Sequence, residues 1–281
     1  MGVQIEELTS GVWNLEFGYG NTVYIIEGHD KAVVIDTGMG DEPILTFIRK
    51  LTDKPLELAI THVHGDHMRY AADFSVRYMC DKDADISEKM LARFNMPQIL
   101  NLSYQRIHEW DIIDLGDVTL QVIPMYGHTP GSVGYYCKEK NMIFCGDAIG
   151  SGMGVWMHVP YALNLSEYRN SLKNFIDWAK KQPPMKFFSG HRIMNYAVPD
   201  LDKSFIASMQ EAETAWKNKT LMTEPNLEMV QNLYDLCGEI LEGKVEGLPR
   251  QDMSRKSDEG EIIPLMAVKD NAAVLYTKDL I

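Results

Sequence analysis

Short apolar runs punctuate the first two thirds of the chain, separated by turn-forming residues. Runs at 22–27 and 32–36 flank Gly28-His29-Asp30, the composition of a tight turn, and predict a hairpin. Further runs at 58–61, 118–123, 133–137, 142–145 and 186–188 predict strands. Between them the apolar spacing changes from two residues to three and four. Ile44, Leu45, Ile48 and Leu51 fall on one helical stripe, with Pro43 in the first turn and Asp41 as the expected cap. A second helix is expected over 85–94. A third carries Tyr168, Leu172, Phe175, Ile176 and Ala179 on one face, with Ser166 as its expected cap. The stretch 94–110 is rich in Met, Pro and aromatic residues and fits no period; it reads as a lid or as a dimer surface.

Beyond Asp200 the texture changes. Helical patterns over 202–218 and 226–242 bracket Thr223-Glu224-Pro225, the polar stretch 251–261 reads as a mobile loop, and 262–276 alternates enough for one or two strands. The expected division is a main domain over 1–200 and an appendage of helices and strand over 201–281, packed on the core. A chain of 281 residues is long enough for one sizeable core. No internal repeat or low-complexity tract is visible.

Composition narrows the partners. The chain has 27 basic and 40 acidic side chains, a formal net charge of −13, which makes it a poor match for a nucleic-acid backbone. No 18-residue apolar stretch exists, so no membrane span is expected. The start, residues 1–7, lacks the basic-then-apolar pattern of a signal peptide, and Glu6 stands where myristoylation wants Ser or Thr. The four cysteines (Cys80, Cys137, Cys145, Cys237) are scattered without a CxxC pair, the pattern of a reduced, cytoplasmic protein. Cys145 reads as a small buried hydrophobe rather than a ligand.

The chemistry concentrates at 62–67, which reads His-Val-His-Gly-Asp-His. Three imidazoles and a carboxylate in six positions gain nothing as core packing or as a surface turn. As donors they suit zinc and similar first-row ions, and one tight turn can serve two ions. Other candidates follow the ends of expected strands: His128 in Gly127-His128-Thr129-Pro130-Gly131-Ser132, Asp147 after 142–145, and His191 after 186–188. Loops at the carboxyl ends of strands are where an open sheet gathers its ligand sites. His29 and His108 have no such partners in sequence and are set aside.

With its His-x-His-x-Asp-His run, then a distant His, an Asp and a last His, the chain resembles the metallo-β-lactamase fold superfamily. The likeness spans roughly residues 10–200 and includes the opening segment 20–26 and the turn Ile35-Asp36-Thr37-Gly38. It implies an α+β fold, a four-layer αβ/βα sandwich with the metals at one edge. It also implies His62, His64 and His128 on one ion, Asp66, His67 and His191 on the other, and Asp147 bridging them. Zinc, two ions per chain, is the default for these donors; manganese, iron or cobalt are compatible.

The full ligand set favours a dinuclear hydrolase that cleaves a carboxylic ester, lactone or thioester by attack of metal-bound hydroxide. Asp66 would bind metal and orient the hydroxide, and Asp36 would hold a ligand imidazole in its tautomer. Methionines beside the ligand loops (Met39, Met68, Met125, Met153, Met157, Met194), with Tyr126, Trp156 and Tyr161, suggest an apolar, adaptable pocket for a small molecule with a hydrophobic part. Tyr161 is the candidate donor to the substrate, with His158 beside it in sequence. Alternatives on the same fold are a phosphodiesterase, a β-lactam hydrolase and an iron-dependent persulfide dioxygenase. Likeness to glyoxalase II weakens beyond His191, where no basic cluster for the glutathione carboxylates is legible, and Met68-Arg69-Tyr70 replaces small residues. A homodimer is the expected assembly.

Overall fold

The computed structural model describes residues 3–17, 20–94, 96–220, 224–257 and 260–281, without the Ser257 side chain. Two sheets face each other. The first runs in chain order through β1 (Gln4–Thr9), β2 (Val12–Glu16), β3 (Thr22–Glu27), β4 (Ala32–Ile35), β5 (Leu56–Ala59), β6 (Arg77–Cys80) and β7 (Gln105–Ile107). It is antiparallel up to β4 and parallel from there on. The second contains β8 (Ile112–Asp114), β9 (Thr119–Pro124), β10 (Val133–Cys137), β11 (Met142–Gly146) and, beyond a short β12 (Val155–Trp156) that belongs elsewhere, β13 (Lys186–Ser189). Its order is β13-β11-β10-β9-β8.

The runs are apolar throughout because these strands are buried on both faces. In β3, Val23 and Ile25 pack outward with Ile44 and Ile48 of the first helical segment and with Met90 and Leu91 of the third helix. Tyr24 and Ile26, one residue out of phase, pack inward against Val122, Tyr135 and Phe144 of the second sheet. On that sheet's far side, Tyr136, Ile143 and Cys145 join a third core layer. The helices are α1 (Leu45–Ile48), α2 (Gly65–Met68), α3 (Asp81–Leu91), α4 (Leu165–Ala179), α5 (Phe205–Lys217) and α6 (Leu227–Leu241). Leu172, Phe175 and Ile176 of α4 and Leu233 and Leu236 of α6 supply the outermost apolar layer. The result is the expected α+β sandwich.

Several local expectations need correction. Asp41 does not cap α1, whose N-cap is Ile44 without a side-chain bond; an N-cap side chain reaches N–H groups only two or three residues on, and Asp41 stands too far ahead. Ser166 lies inside α4. The cap is Asn164, which accepts from the Glu167 N–H at 2.9 Å while Glu167 accepts from the Asn164 N–H at 3.3 Å, a capping box. The stretch 251–261 contains a 3-10 turn (Gln251–Met253) and an antiparallel hairpin of β15 (Arg255–Ser257) and β16 (Gly260–Ile262), reached after β14 (Leu248–Pro249). Two three-residue polar strands leave no alternation to read. Within 94–110 lie a 3-10 turn (Pro97–Ile99) and β7. Asn95 of that segment and Thr223 of the inter-helix break fall outside the described residues.

The segment after residue 200 is woven into the rest. β17 (Leu265–Lys269) and β18 (Ala272–Tyr276) form a hairpin, and β18 pairs in parallel with β12 through Val155↔Val274 and Trp156↔Leu275. Among the described residues no helix is long and apolar enough to cross a membrane.

Candidate metal centre

Four loops bring the donors together at one edge of the sandwich. The turn after β5 enters α2, which carries Asp66 and His67; His64 precedes that helix in extended backbone. His128 follows β9, Asp147 follows β11 and His191 follows β13. All seven positions singled out in the sequence lie here. His62, His64 and His128 converge, with Nδ1 of His64 3.0 Å from Nε2 of both His62 and His128. Their ring planes stand at 76° to 86° to one another, so the nitrogens aim at a common point. Zn–N bonds of about 2.0–2.1 Å in a tetrahedron place neighbouring nitrogens about 3.3 Å apart, so the three fit one ion.

Beside them stands a second set. Asp66 Oδ2 lies 3.6 Å from Nε2 of both His67 and His191. Asp147 sits between the sets. Its Oδ1 is 3.6 Å from His67 Nε2, and its Oδ2 is 3.1 Å from His191 Nε2 and 3.8 Å from His128 Nε2. His67 Nε2 and Asp147 Oδ1 are buried with no hydrogen-bond partner, a costly state for buried polar atoms unless they ligate an ion. The donor set therefore fits two ions sharing Asp147.

The other side of each ring is fixed. His67 Nδ1 donates to Asp36 Oδ2 at 2.8 Å, and His128 Nδ1 donates to the Trp156 carbonyl at 2.7 Å. Thr61 relays the same control to His62: its hydroxyl donates to Asp36 Oδ2 at 2.7 Å and accepts from His62 Nδ1 at 3.0 Å. Each bond places the proton on Nδ1 and leaves Nε2 free to ligate. Asp36 also accepts the Thr61 N–H at 2.8 Å, and it holds this position at φ 59°, in the left-handed region. Asn21 donates to Asp66 Oδ2 at 2.9 Å.

Electrostatics divide the site. Burial depresses His62 well below the usual imidazole range and takes His64 down to about 3, with neighbouring imidazoles adding to both shifts. Burial also lowers His128, against the pull of Asp147. These rings are neutral donors. On the other side burial again works against charge, but the carboxylates prevail: Asp147, Asp66 and Asp36 raise His67, and Asp147 raises His191. Reciprocally, His67 and His191 outweigh burial and keep Asp66 and Asp147 ionised.

Asp83 ties two of the ligand loops together and gave no signal in the sequence. Fully buried, it accepts from the Val63 N–H at 2.8 Å, the Thr129 hydroxyl at 2.7 Å and the Gly131 N–H at 2.7 Å. It thereby joins the His62–His64 turn to the loop of His128. Thr61 and Asn21 were likewise unmarked, because a polar residue near a strand end has many uses. Gly190 is required by space: a Cβ there would stand 2.4 Å from Asp147 Oδ1 and 2.7 Å from His67 Cε1.

The donors open into a pocket of about 500 Å³. Met39, Phe94, Trp156, Val159, Met194 and Phe205 form most of its apolar wall, with Asn21 and Ser151 among its few polar groups. Of the methionines and aromatics expected there, Met39, Met194 and Trp156 line it. Met68, Met125, Met153 and Met157 are buried in the core, and Tyr126 bonds to Glu109 elsewhere. Phe94 begins the 94–110 stretch read as a lid or a dimer surface; Phe205, which opens α5 beyond residue 200, was unforeseen. Tyr161 lies outside the lining, half-exposed, with its ring 6.0 Å from the Arg93 guanidinium. His158 is buried behind Trp156, and its pKa is pushed down to about 4 by burial and then by Arg255.

Comparison with known proteins agrees with this geometry. The model of a family described as the metallo-beta-lactamase superfamily matches residues 17–191. The chain is 24% identical over 209 residues to acyl-coenzyme A thioesterase MBLAC2 of Gallus gallus, covering 63% of this chain and 74% of that protein. It is 27% identical over 143 residues to hydroxyacylglutathione hydrolase GloC of Haemophilus influenzae, covering 47% of this chain and 68% of the relative. Among solved structures, a metallo-beta-lactamase from Pontibacter korlensis superposes with a TM-score of 0.54 at 19% identity, over 68% of this chain and 91% of that one, a likeness of fold.

Proposed function

The chain belongs to the metallo-beta-lactamase superfamily and is a metal-dependent hydrolase of that fold, and on that premise we propose that it hydrolyses thioesters with an apolar acyl part. The observation that carries this reading is the convergence of two adjoining donor sets, with Asp147 between them, on the floor of an apolar pocket of about 500 Å³. Two of its relatives, named as a thioesterase and as a hydroxyacylglutathione hydrolase, both cleave thioesters by name, which supports the choice of bond.

His62, His64 and His128 would hold one ion and Asp66, His67 and His191 the other. Such a pair, zinc by donor type, supplies a water of lowered pKa and a Lewis acid for the carbonyl oxygen. The chain's own residues do the rest. Asp66, ionised and fixed by Asn21, faces the pocket and can take and orient the proton of the attacking water. Asp36 and Thr61 hold the imidazoles in the ligating tautomer. The wall of Phe94, Trp156, Met39 and Phe205 receives the acyl chain and excludes bulk water. The products are a carboxylic acid and a thiol. Tyr161, on the rim, is proposed as a contact to the outer part of the substrate.

The test is metal content by elemental analysis alongside a panel of acyl thioesters, carboxylic esters, lactones and phosphodiesters. About two metal ions per chain and turnover of thioesters that improves with acyl length are expected, with loss of turnover in Asp66→Ala. Preference for phosphodiesters, or one iron per chain with oxygen uptake on a persulfide, would replace the reading.

A further inference from the structure

Two arginines from distant parts of the sequence reach one loop beside the pocket. Arg93 follows α3 and immediately precedes Phe94, which lines the pocket; its guanidinium carbon lies 6.0 Å from the centre of the Tyr161 ring. Arg255 opens β15 and donates from Nε to the carbonyl of His158 at 3.1 Å. Both side chains thus press on one four-residue loop, 158–161, whose middle residues Val159 and Pro160 line the pocket. Elsewhere Arg106, Arg192 and Arg250 each hold a carboxylate, of Asp85, Glu6 and Asp252, while Arg49, Arg77 and Arg169 donate to backbone carbonyls. Among the described residues neither Arg93 nor Arg255 has such a partner; Asp279 is the acidic group within electrostatic reach of Arg255. Burial, and next the charge of Arg93, pull the Arg255 guanidinium down.

In a chain of net charge −13, Arg93 and Arg255 bring two guanidinium groups to one loop beside the pocket. Their forks match phosphate oxygens, and a phosphate monoester carries about −1.5 to −2 charges at neutral pH, enough to balance both; a single carboxylate balances one. We infer that Arg93 and Arg255 form a phosphate-binding rim for the thiol half of the substrate, so that the preferred thioester is one whose free small-molecule thiol bears a phosphate monoester, as coenzyme A and phosphopantetheine do. This rests on the thioesterase reading above.

The test compares kcat/KM for one acyl group on coenzyme A, phosphopantetheine, pantetheine and glutathione, in the metal-loaded wild type and in Arg93→Gln, Arg255→Gln and the double variant. One lost charge-assisted hydrogen bond corresponds to about a tenfold change or more. The wild type should favour the phosphorylated thiols over pantetheine by at least about tenfold, mainly through KM. That ratio should fall about tenfold in each single variant and collapse in the double. The coenzyme A and phosphopantetheine arms tell which phosphate is read. Equal use of pantetheine, equal loss on every substrate, or an arginine-dependent preference for glutathione overturns the inference. Calorimetric titration of coenzyme A itself, without turnover, separates the two proposals. Were no thioester cleaved yet coenzyme A bound in an arginine-dependent way, the reaction assignment would fall and the rim would stand; binding indifferent to the arginines would end the rim.

Discussion

Asp36 sets the tautomers of two imidazoles with one carboxylate, directly at His67 and through Thr61 at His62. Asp36→Asn preserves the volume but puts an amide among donors, so one N–H must face another. Loss of such a partner typically costs about 10–100-fold in metal affinity. Competition with a chromophoric chelator should register a fall of that size, with an unchanged far-ultraviolet spectrum. Glu16 makes one contribution to the pH dependence of stability. Buried beneath the His191 loop, it accepts from Asn14 at 2.8 Å and Thr22 at 3.0 Å, and burial outweighs Arg192 to raise its carboxyl to about 7. The folded state therefore binds this proton more tightly than the unfolded chain, whose carboxyl titrates near 4.5. Stability from this group is present at low pH and is lost as pH rises from about 4.5 through about 7. Thermal melts of wild type and Glu16→Gln across pH 5 to 8 should show the wild type losing ground to the variant as pH rises; parallel curves would mean that Glu16 stays charged.

Helix α4 shows how much a boundary depends on few atoms. Its capping box at Asn164 and Glu167 should make Asn164→Ala cost about 1 kcal/mol, a drop of about 2–4 °C in Tm, whereas Ser166→Ala should change little. Asn-x-x-Glu was present in the sequence, but Ser166 stood nearby with similar chemistry, and only the backbone angles decide which residue sits just outside the helix. Helix α5 packs Ala212 and Trp216 against Ile193 and Met194, and its first residue, Phe205, reaches the pocket wall. Phe205→Ala should raise KM for long acyl chains more than for short ones, by about tenfold or more for the lost apolar contact. A uniform loss across chain lengths would instead point to a shift of the whole wall.

At the scale of the molecule, the segment after residue 200 closes the outermost core. Leu233, Leu236, Val274 and Tyr276 pack with Leu172, Phe175 and Ile176 of α4, and β18 completes the pairing of β12. A chain ending at residue 200 should consequently expose that layer and come out aggregated or without a cooperative melt. A soluble, metal-binding fragment would show that 1–200 folds alone. Metal removal is a milder perturbation. Dialysis against a chelator should lower Tm, since ions bind the folded arrangement of four loops and not the unfolded chain, and added zinc should restore it.

Much of this was legible in one dimension. The run His62 to His67 declares a metal site because its donors are neighbours, and two-faced burial of β3, β10 and β11 leaves unbroken apolar runs that mark the strands whatever their partners. Local chemistry and period are properties of adjacent residues, so the sequence suffices for them. Asp83, Phe205 and the approach of Arg93 and Arg255 to one loop are of another kind. Each is an ordinary residue on its own segment: a helical aspartate, a helix-start aromatic, two unremarkable cations. Their roles arise from partners dozens to nearly a hundred positions away, and the polar hairpin that presents Arg255 has no period to betray it. Which residues meet across such distances is fixed by how the layers stack, and that packing is decided by the burial of the whole chain at once.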